Sequence, residues 1–458
     1  MTSSPLRTMR VFCPAALALA LAAAWCAPAQ AQSLKELYDA AVAYDATYLA
    51  AKAQAESTPW RVAQSEALNS LGVNVTGSGT HSQVDPPSRF ATVGGQQVKV
   101  AGDRVSSTVW QGGLNARYPL FNESNTATIN QARKAGELTQ FDLEAARQDL
   151  IVRLTQAYFD VLAAQDTLAT AQASKKAIGE QLASAKRNFE VGTATITDTR
   201  EAQARFDLAS AQEIAADNDL RTKRIALDQL VGRSGIAPRP LAVPVALPAL
   251  APADAESWVA NSEGESPAIR KARVALDVAK LETEKARTGD NLTVDLVGNT
   301  GVSRASGSAS SSPGTTVSAS VGVQLSMPLL NGGLTQNTIK EKLALEEKAR
   351  NDAEGARRAV AQATRQAFFG VQSLQAQVRA LEAAESSSKL ALEATQLGYK
   401  VGVRVNLDVL NAQSQLFTTQ RDLAKARYDT LVNSLKLRQA SGTLRPEHLD
   451  EVNNLLAK

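Results

Sequence analysis

The sequence predicts an α+β membrane protein built by internal duplication, with four amphipathic strands and two long helical hairpins in each chain. Three observations predict it. First, the second half repeats the first: Phe189–Gly232 aligns without a gap with Tyr399–Gly442. The offset is about 210 residues, far beyond the roughly 20–50 of a solenoid repeat, so the unit is a duplicated domain. Second, Thr316–Met327 alternates Val317, Ala319, Val321, Val323, Leu325 and Met327 with Ser318, Ser320, Gly322, Gln324 and Ser326. That period of two marks a strand with one apolar and one polar face. Third, the stretch from Glu123 to about Val191 carries no proline, and glycine only at Gly136 and Gly179. A helix of that span is roughly 100 Å long, beyond an ordinary globular helix.

The N-terminus reads as a secretory signal over 1–31. Arg7 and Arg10 form the basic region, Val11–Ala24 the apolar core, and Ala29-Gln30-Ala31 the small-residue cleavage site. Both cysteines, Cys13 and Cys26, leave with it, so no disulfide or thiolate chemistry is expected of the mature chain. Losing Arg7 and Arg10 takes the formal charge from +3 to +1. That near-neutral balance gives no electrostatic footprint for nucleic acid. After the signal no apolar run reaches about 18 residues, so no transmembrane helix is expected. His81 and His448 stand far apart and read as loop or tail residues, and no metal or cofactor is expected.

The first repeat spans 32–232 and the second 255–442. Each opens with a short helix, Ser33–Asn69 and Ala255–Thr288. Each then carries two strands, Leu71–Thr80 with Thr108–Tyr118 and Leu292–Gly301 with Thr316–Met327. Polar Gly/Pro/Ser loops join them at His81–Asp103 and Val302–Thr315. Apolar-out, polar-in strands with long loops at one end are the pattern of an outer-membrane barrel. Four strands cannot close one, since the smallest need about eight. Several chains must pool their strands, and three would give about twelve.

Pro-Leu-x-Asn follows each second strand, at 119–122 and 328–331, and leads into the long helix. One seam runs through Leu150, Leu154, Ala157, Val161, Ala164, Leu168 and Ala171. Its counterpart runs through Val360, Thr364, Ala367, Val371, Leu374, Val378 and Leu381. Steps of four and three are those of a coiled coil. Val191-Gly192 and Val401-Gly402 end the outgoing helices, glycine being the usual residue just past a helix. Asp198 and Asp408 then stand where a carboxylate supports the start of the return helix. Five prolines between Pro238 and Pro252 forbid helix and central strand, so 233–254 is a linker. Residues 443–458 form a C-terminal tail.

These residues resemble the TolC family of trimeric outer-membrane exit ducts for Gram-negative efflux and type I secretion. The resemblance rests on Tyr158-Phe-x-Val-Leu162, Phe189-x-Val-Gly with Ala194-Thr-Ile-Thr-Asp198, and Met327-Pro-Leu-x-Asn-Gly-Gly333. It also rests on Gly398-Tyr-x-Val-Gly-x-Arg404, Asp408-Val-Leu410 and Ala426-Arg-Tyr428. It covers essentially the whole mature chain. It implies a homotrimer with a twelve-stranded barrel, four strands per chain, in outer-membrane lipid, continued by a helical tunnel into the periplasm. The linker and tail would belt the tunnel. The implied partners are a periplasmic adaptor and an inner-membrane transporter of RND, MFS or ABC type. The implied gate matches Thr197 and Asp198 of the first hairpin to Tyr399 and Arg404 of the second. The implied adaptor contacts are the tips Val191, Gly192 and Thr193, and Val401, Gly402 and Val403.

Arg404 corresponds to Ala194 in the first repeat, so one hairpin presents the acid and the other the base of a charge-assisted pair. The chain departs from the family where two acids three residues apart line the tunnel entrance. Here they are Asp408 and Asn411, and the repeat-equivalent of Asn411 is Glu201, a second candidate entrance acid. An alternative reading is a trimeric coiled-coil structural or surface protein without a lumen. Duplication with two strand pairs argues against it, since a stalk needs neither. With no acid–base, nucleophile or phosphate-loop constellation, the chain does not read as an enzyme.

Overall fold

The computed structural model describes residues 32–457, apart from 101, 103, 243, 244, 246 and 309–312. The expected signal peptide, with Cys13 and Cys26, lies outside the described residues. The chain divides into two units, one of residues 32–50, 144–266 and 359–457, the other of Ala51–Leu143 and Pro267–Arg358.

The two repeats open alike. Helix α1 (Leu34–Tyr44) and helix α2 (Ala46–Glu66) have 11 and 21 residues. Their second-repeat counterparts α5 (Ala255–Glu265) and α6 (Pro267–Arg287) have 11 and 21. The single opening helix expected in each repeat is therefore broken in two. The break is made by different chemistry in each copy. At Asp45 (φ −60°, ψ 115°) the backbone leaves the helix, and the Asp45 carboxylate accepts from the Tyr48 N–H at 2.7 Å to start α2. At Ser266 (φ −63°, ψ 121°) the next residue is Pro267, which lacks an N–H and fits the first helical position.

The second unit holds an antiparallel sheet in the order β1 (Gly72–Val84), β4 (Val105–Phe121), β5 (Thr293–Ser306), β6 (Gly314–Ser326). All four strands run longer than their alternation predicts. The added ends, such as His81–Val84, Val105–Ser107 and Val302–Ser306, mix polar and apolar residues without a clean period of two. The loop expected at His81–Asp103 is also partly structured. It contains a hairpin of β2 (Arg89–Val93) and β3 (Gln96–Val100), turned by Gly94 and Gly95.

The register fixes two faces. Val75 sits opposite Leu114, Leu114 opposite Thr300, and Thr300 opposite Ala319. The same face carries Val73, Trp110, Tyr118, Leu296, Val302, Val317, Val321, Val323 and Leu325, all of them exposed in the single chain or nearly so. The other face presents Asn74, Thr76, Gln111, Asn115, Asn299, Ser318, Ser320 and Gln324. Strands β1 and β6 each have one unpaired edge among the described residues. Among these residues no helix is long and apolar enough to cross a membrane.

Helix α3 (Glu123–Glu190) and helix α7 (Leu334–Lys400) are the long outgoing helices. The return helices are α4 (Ile196–Val231) and α8 (Asn406–Ala440). In the first unit the expected seam is the inward side. Leu150, Leu154, Val161 and Ala164 are buried, as are Thr364, Val371 and Val378. Motifs far apart in sequence meet there. Phe159 stacks on Tyr428 at 5.4 Å between ring centroids, and the Tyr428 hydroxyl donates to Asp166 at 2.6 Å. Burial, then the Asp166 carboxylate, pushes that phenol well above its ordinary range.

The linker is extended and anchored. Arg239 N–H donates to the Tyr158 hydroxyl at 2.8 Å, and the Ala242 N–H donates to the Leu455 carbonyl at 2.9 Å. The tail is not merely a tail. Residues His448–Asn453 form α9, with Leu449 and Val452 buried.

Candidate functional site

The candidate site lies at the two helical hairpin ends, all within the first unit. Both outgoing helices end in the same backbone device. Gly192 (φ 78°) donates its N–H to the Phe189 carbonyl at 3.0 Å, and Thr193 donates to Asn188 at 2.8 Å. Gly402 (φ 82°) donates to Tyr399 at 3.1 Å, and Val403 to Gly398 at 2.9 Å. This paired closure satisfies the last carbonyls of a helix and requires a left-handed residue, which is why glycine stands at both tips. The tips are exposed: Val191 by 73%, Val401 by 65% and Val403 by 78%.

The return helices start differently. Thr195 caps α4, accepting from the Asp198 N–H at 3.2 Å while the Asp198 carboxylate accepts from the Thr195 N–H at 2.9 Å. This reciprocal box commits Asp198 to its own helix start. Thr197 sits exposed in that first turn. The second hairpin has Val405 where the first has Thr195, and Val405 offers no side-chain cap. Asp408 is therefore free of that task and pairs with Arg404, Nη1 to Oδ2 at 3.6 Å. Gly398 makes room for it, since a Cβ there would lie 2.8 Å from Arg404 Cγ.

Within one chain, then, Arg404 meets Asp408 and not Asp198. Tyr399 does cross between hairpins: its hydroxyl accepts from Asn188 Nδ2 at 3.2 Å. Other cross-links between the hairpins were not legible in the sequence. Gln181 donates its amide to Asn406, and Arg205 Nη2 donates to Asn411 Oδ1 at 3.1 Å. Beneath them Leu410 packs with Ile178, Leu182, Ala185, Ala202 and Ala209, against half-buried Phe206. The signal that could have found these polar partners is the broken repeat. Asn188 aligns with Gly398, Gln181 with Ala391 and Arg205 with Gln415, so each is private to one copy. Glu201 is half-exposed on α4 and has no ion-pair partner among the described residues. Those residues hold no cluster of three His, Cys, Asp or Glu side chains placed to bind a metal.

Comparison with known proteins covers both repeats. The family model described as "Outer membrane efflux protein" matches residues 37–233 and 258–443. The chain is 30% identical over 449 residues to outer membrane protein TolC of Vibrio cholerae, covering 98% of each. It is 34% identical over 343 residues to alkaline protease secretion protein AprF of Pseudomonas aeruginosa, covering 74% of this chain and 71% of that one. Among solved structures, the Campylobacter jejuni CmeC outer membrane channel superposes with a TM-score of 0.74 at 16% identity, over 93% of this chain and 90% of that one. The Vibrio cholerae outer membrane protein VceC superposes with a TM-score of 0.72 at 20% identity, over 89% and 96%.

Proposed function

The chain belongs to the outer membrane efflux protein family, and on that premise we propose how it works as an exit duct. Three copies pool their four-stranded sheets into a twelve-stranded barrel, and the long helices continue it as a periplasmic tunnel. The observation that carries this reading is the sheet. One face is apolar across all four strands, the other is mainly polar, and both edges are open among the described residues. An apolar face of that extent is stable against hydrocarbon, and backbone edges in lipid must be paired, which copies of the same chain can do.

Cargo enters from a periplasmic adaptor and an inner-membrane transporter of RND, MFS or ABC type, the adaptor meeting the exposed tips 191–193 and 401–403. The relatives named for TolC and for alkaline protease secretion support efflux and type I secretion as the two settings. Thr197, Asp198, Tyr399 and Arg404 belong to the closed state of the tips. In one chain Arg404 is held by its own Asp408, so a link to Asp198 requires an exchange of partners or the hairpin of a second copy. Asp408 and Glu201 line the entrance. Native mass spectrometry of the detergent-solubilised protein tests the assembly. The expected mass is that of three chains, and a stable monomer or dimer in the membrane would overturn it.

A further inference from the structure

The polar face of the sheet is almost uncharged. Among the described residues of its four strands, only Arg117 of β4 and Asp295 of β5 carry charge on that face. Arg304, the other charged strand residue, lies opposite Trp110 in the apolar row. Arg117 and Asp295 are diagonal neighbours near the end where the strands feed the helices. Asp295 faces Pro119, just before the register shifts between Pro119 and Phe121.

The two side chains are unequally placed. The Asp295 side chain is 6% exposed and that of Arg117 is 64% exposed. Arg117 Nη2 donates to Asp295 Oδ2 at 2.5 Å. The Nε and Nη1 donors of Arg117 make no hydrogen bond among the described residues. The acid is thus a buried anchor, and the guanidinium is an exposed cation tethered by one bond, with donors to spare. A guanidinium keeps its charge and matches the planar fork of an oxyanion.

We propose that Arg117, held by Asp295, is an oxyanion-binding station in the lumen of the barrel, taking carboxylate or phosphate groups of passing cargo. This rests on the duct reading above, in which the polar face is the lumen. Three copies place three such ion pairs around one passage whose strand walls are otherwise uncharged, mostly Ser, Thr, Asn, Gln and Gly with a few apolar residues such as Val109, Val297 and Ala305. Each pair is neutral overall, so an oxyanion is held at short range by the exposed guanidinium donors rather than by net charge. The remaining strand residues on that face are neutral, so they cannot mask the effect.

The test is block of single-channel current by tripolyphosphate added on the extracellular side at low salt. The wild-type trimer is expected to show concentration-dependent block that weakens as salt is raised. The double variant Arg117→Gln/Asp295→Asn, which leaves no buried charge unpaired, is expected to raise the half-blocking concentration at least tenfold. Asp295→Asn alone, which keeps the cation and removes its neutralising partner, is expected to keep or tighten the block. Equal block in wild type and double variant overturns the proposal, as does a conducting wild type that tripolyphosphate does not block. Both results leave the duct reading standing. An inserted trimer that conducts nothing contradicts the duct itself and the station with it.

Discussion

Asp198 and Asp408 hold the same place in the two repeats and make different bonds. One residue decides it: Thr195 recruits the first acid into a capping box, and Val405 leaves the second to Arg404. The positions of these acids were legible from the repeat alignment, because identical spacing after Val-Gly put both at a helix start. Their partners were not, because a hydrogen-bond partner depends on rotamer and on neighbours such as Gly398 that the alignment does not reveal. Arg404→Ser with Tyr399→Phe removes the Asp408 ion pair and the Asn188 hydrogen bond together. Each is exposed or half-exposed, so the loss is about 0.2–1 kcal/mol per pair. Three copies multiply it, and the double variant is expected to raise resting conductance and sensitivity to vancomycin. A correctly assembled double variant with unchanged conductance would show that these residues do not hold the tips. Ringed acids bind cations, so multivalent cations on the periplasmic side are expected to block moderately. Asp408→Ala is expected to remove most of that block and Glu201→Gln to weaken it. Block that survives both changes together would place neither acid at the entrance.

At the scale of elements, the sequence pattern carried furthest where periodicity is strong. The Thr316–Met327 alternation gave the right faces, and the four-and-three seam found the buried side of α3 and α7. It fell short where structure depends on a single residue, as at the breaks between α1 and α2 and between α5 and α6. Asp45 reads as an ordinary helical surface residue until its carboxylate is seen to accept from Tyr48 N–H at 2.7 Å and from Arg153 Nη1 and Nη2, both at 3.0 Å. Burial pushes the Asp45 carboxyl up, but the Arg153 and backbone hydrogen bonds outweigh it and hold the carboxyl below its ordinary value. A depressed folded pKa contributes stability above the unfolded carboxylate value, about 3.9, and loses it as pH falls through the lower folded value. The thermal midpoint of the wild-type protein is therefore expected to fall as pH drops below about 4. Asp45→Asn keeps a side-chain acceptor for the Tyr48 N–H, since asparagine caps as well as aspartate, but gives up the Arg153 ion pair, so its midpoint is expected to start lower at pH 6 and to vary less with acid. Parallel pH profiles for the two proteins would remove Asp45 as a source of acid sensitivity.

At the scale of the whole molecule, duplication explains why one chain offers two strand pairs and two helical hairpins, and why neither closes on itself. The two copies join through the β4–β5 pairing, which turns two hairpins into one sheet. Strand count alone made pooling by several chains legible in the sequence. The β2–β3 hairpin was hidden, because its Gly and Gln content and the Pro86-Pro87 pair before it read as loop and its strands are only five residues each. In the duct, the assembled chains enclose a continuous aqueous path. Single-channel recording of the purified protein in a planar bilayer tests it most directly. The trimer is expected to give discrete, uniform conductance steps of small size, cation-selective on the periplasmic side, one per insertion. Stable insertion of trimers with no conductance steps would contradict it, and is what a coiled-coil surface protein without a lumen would give.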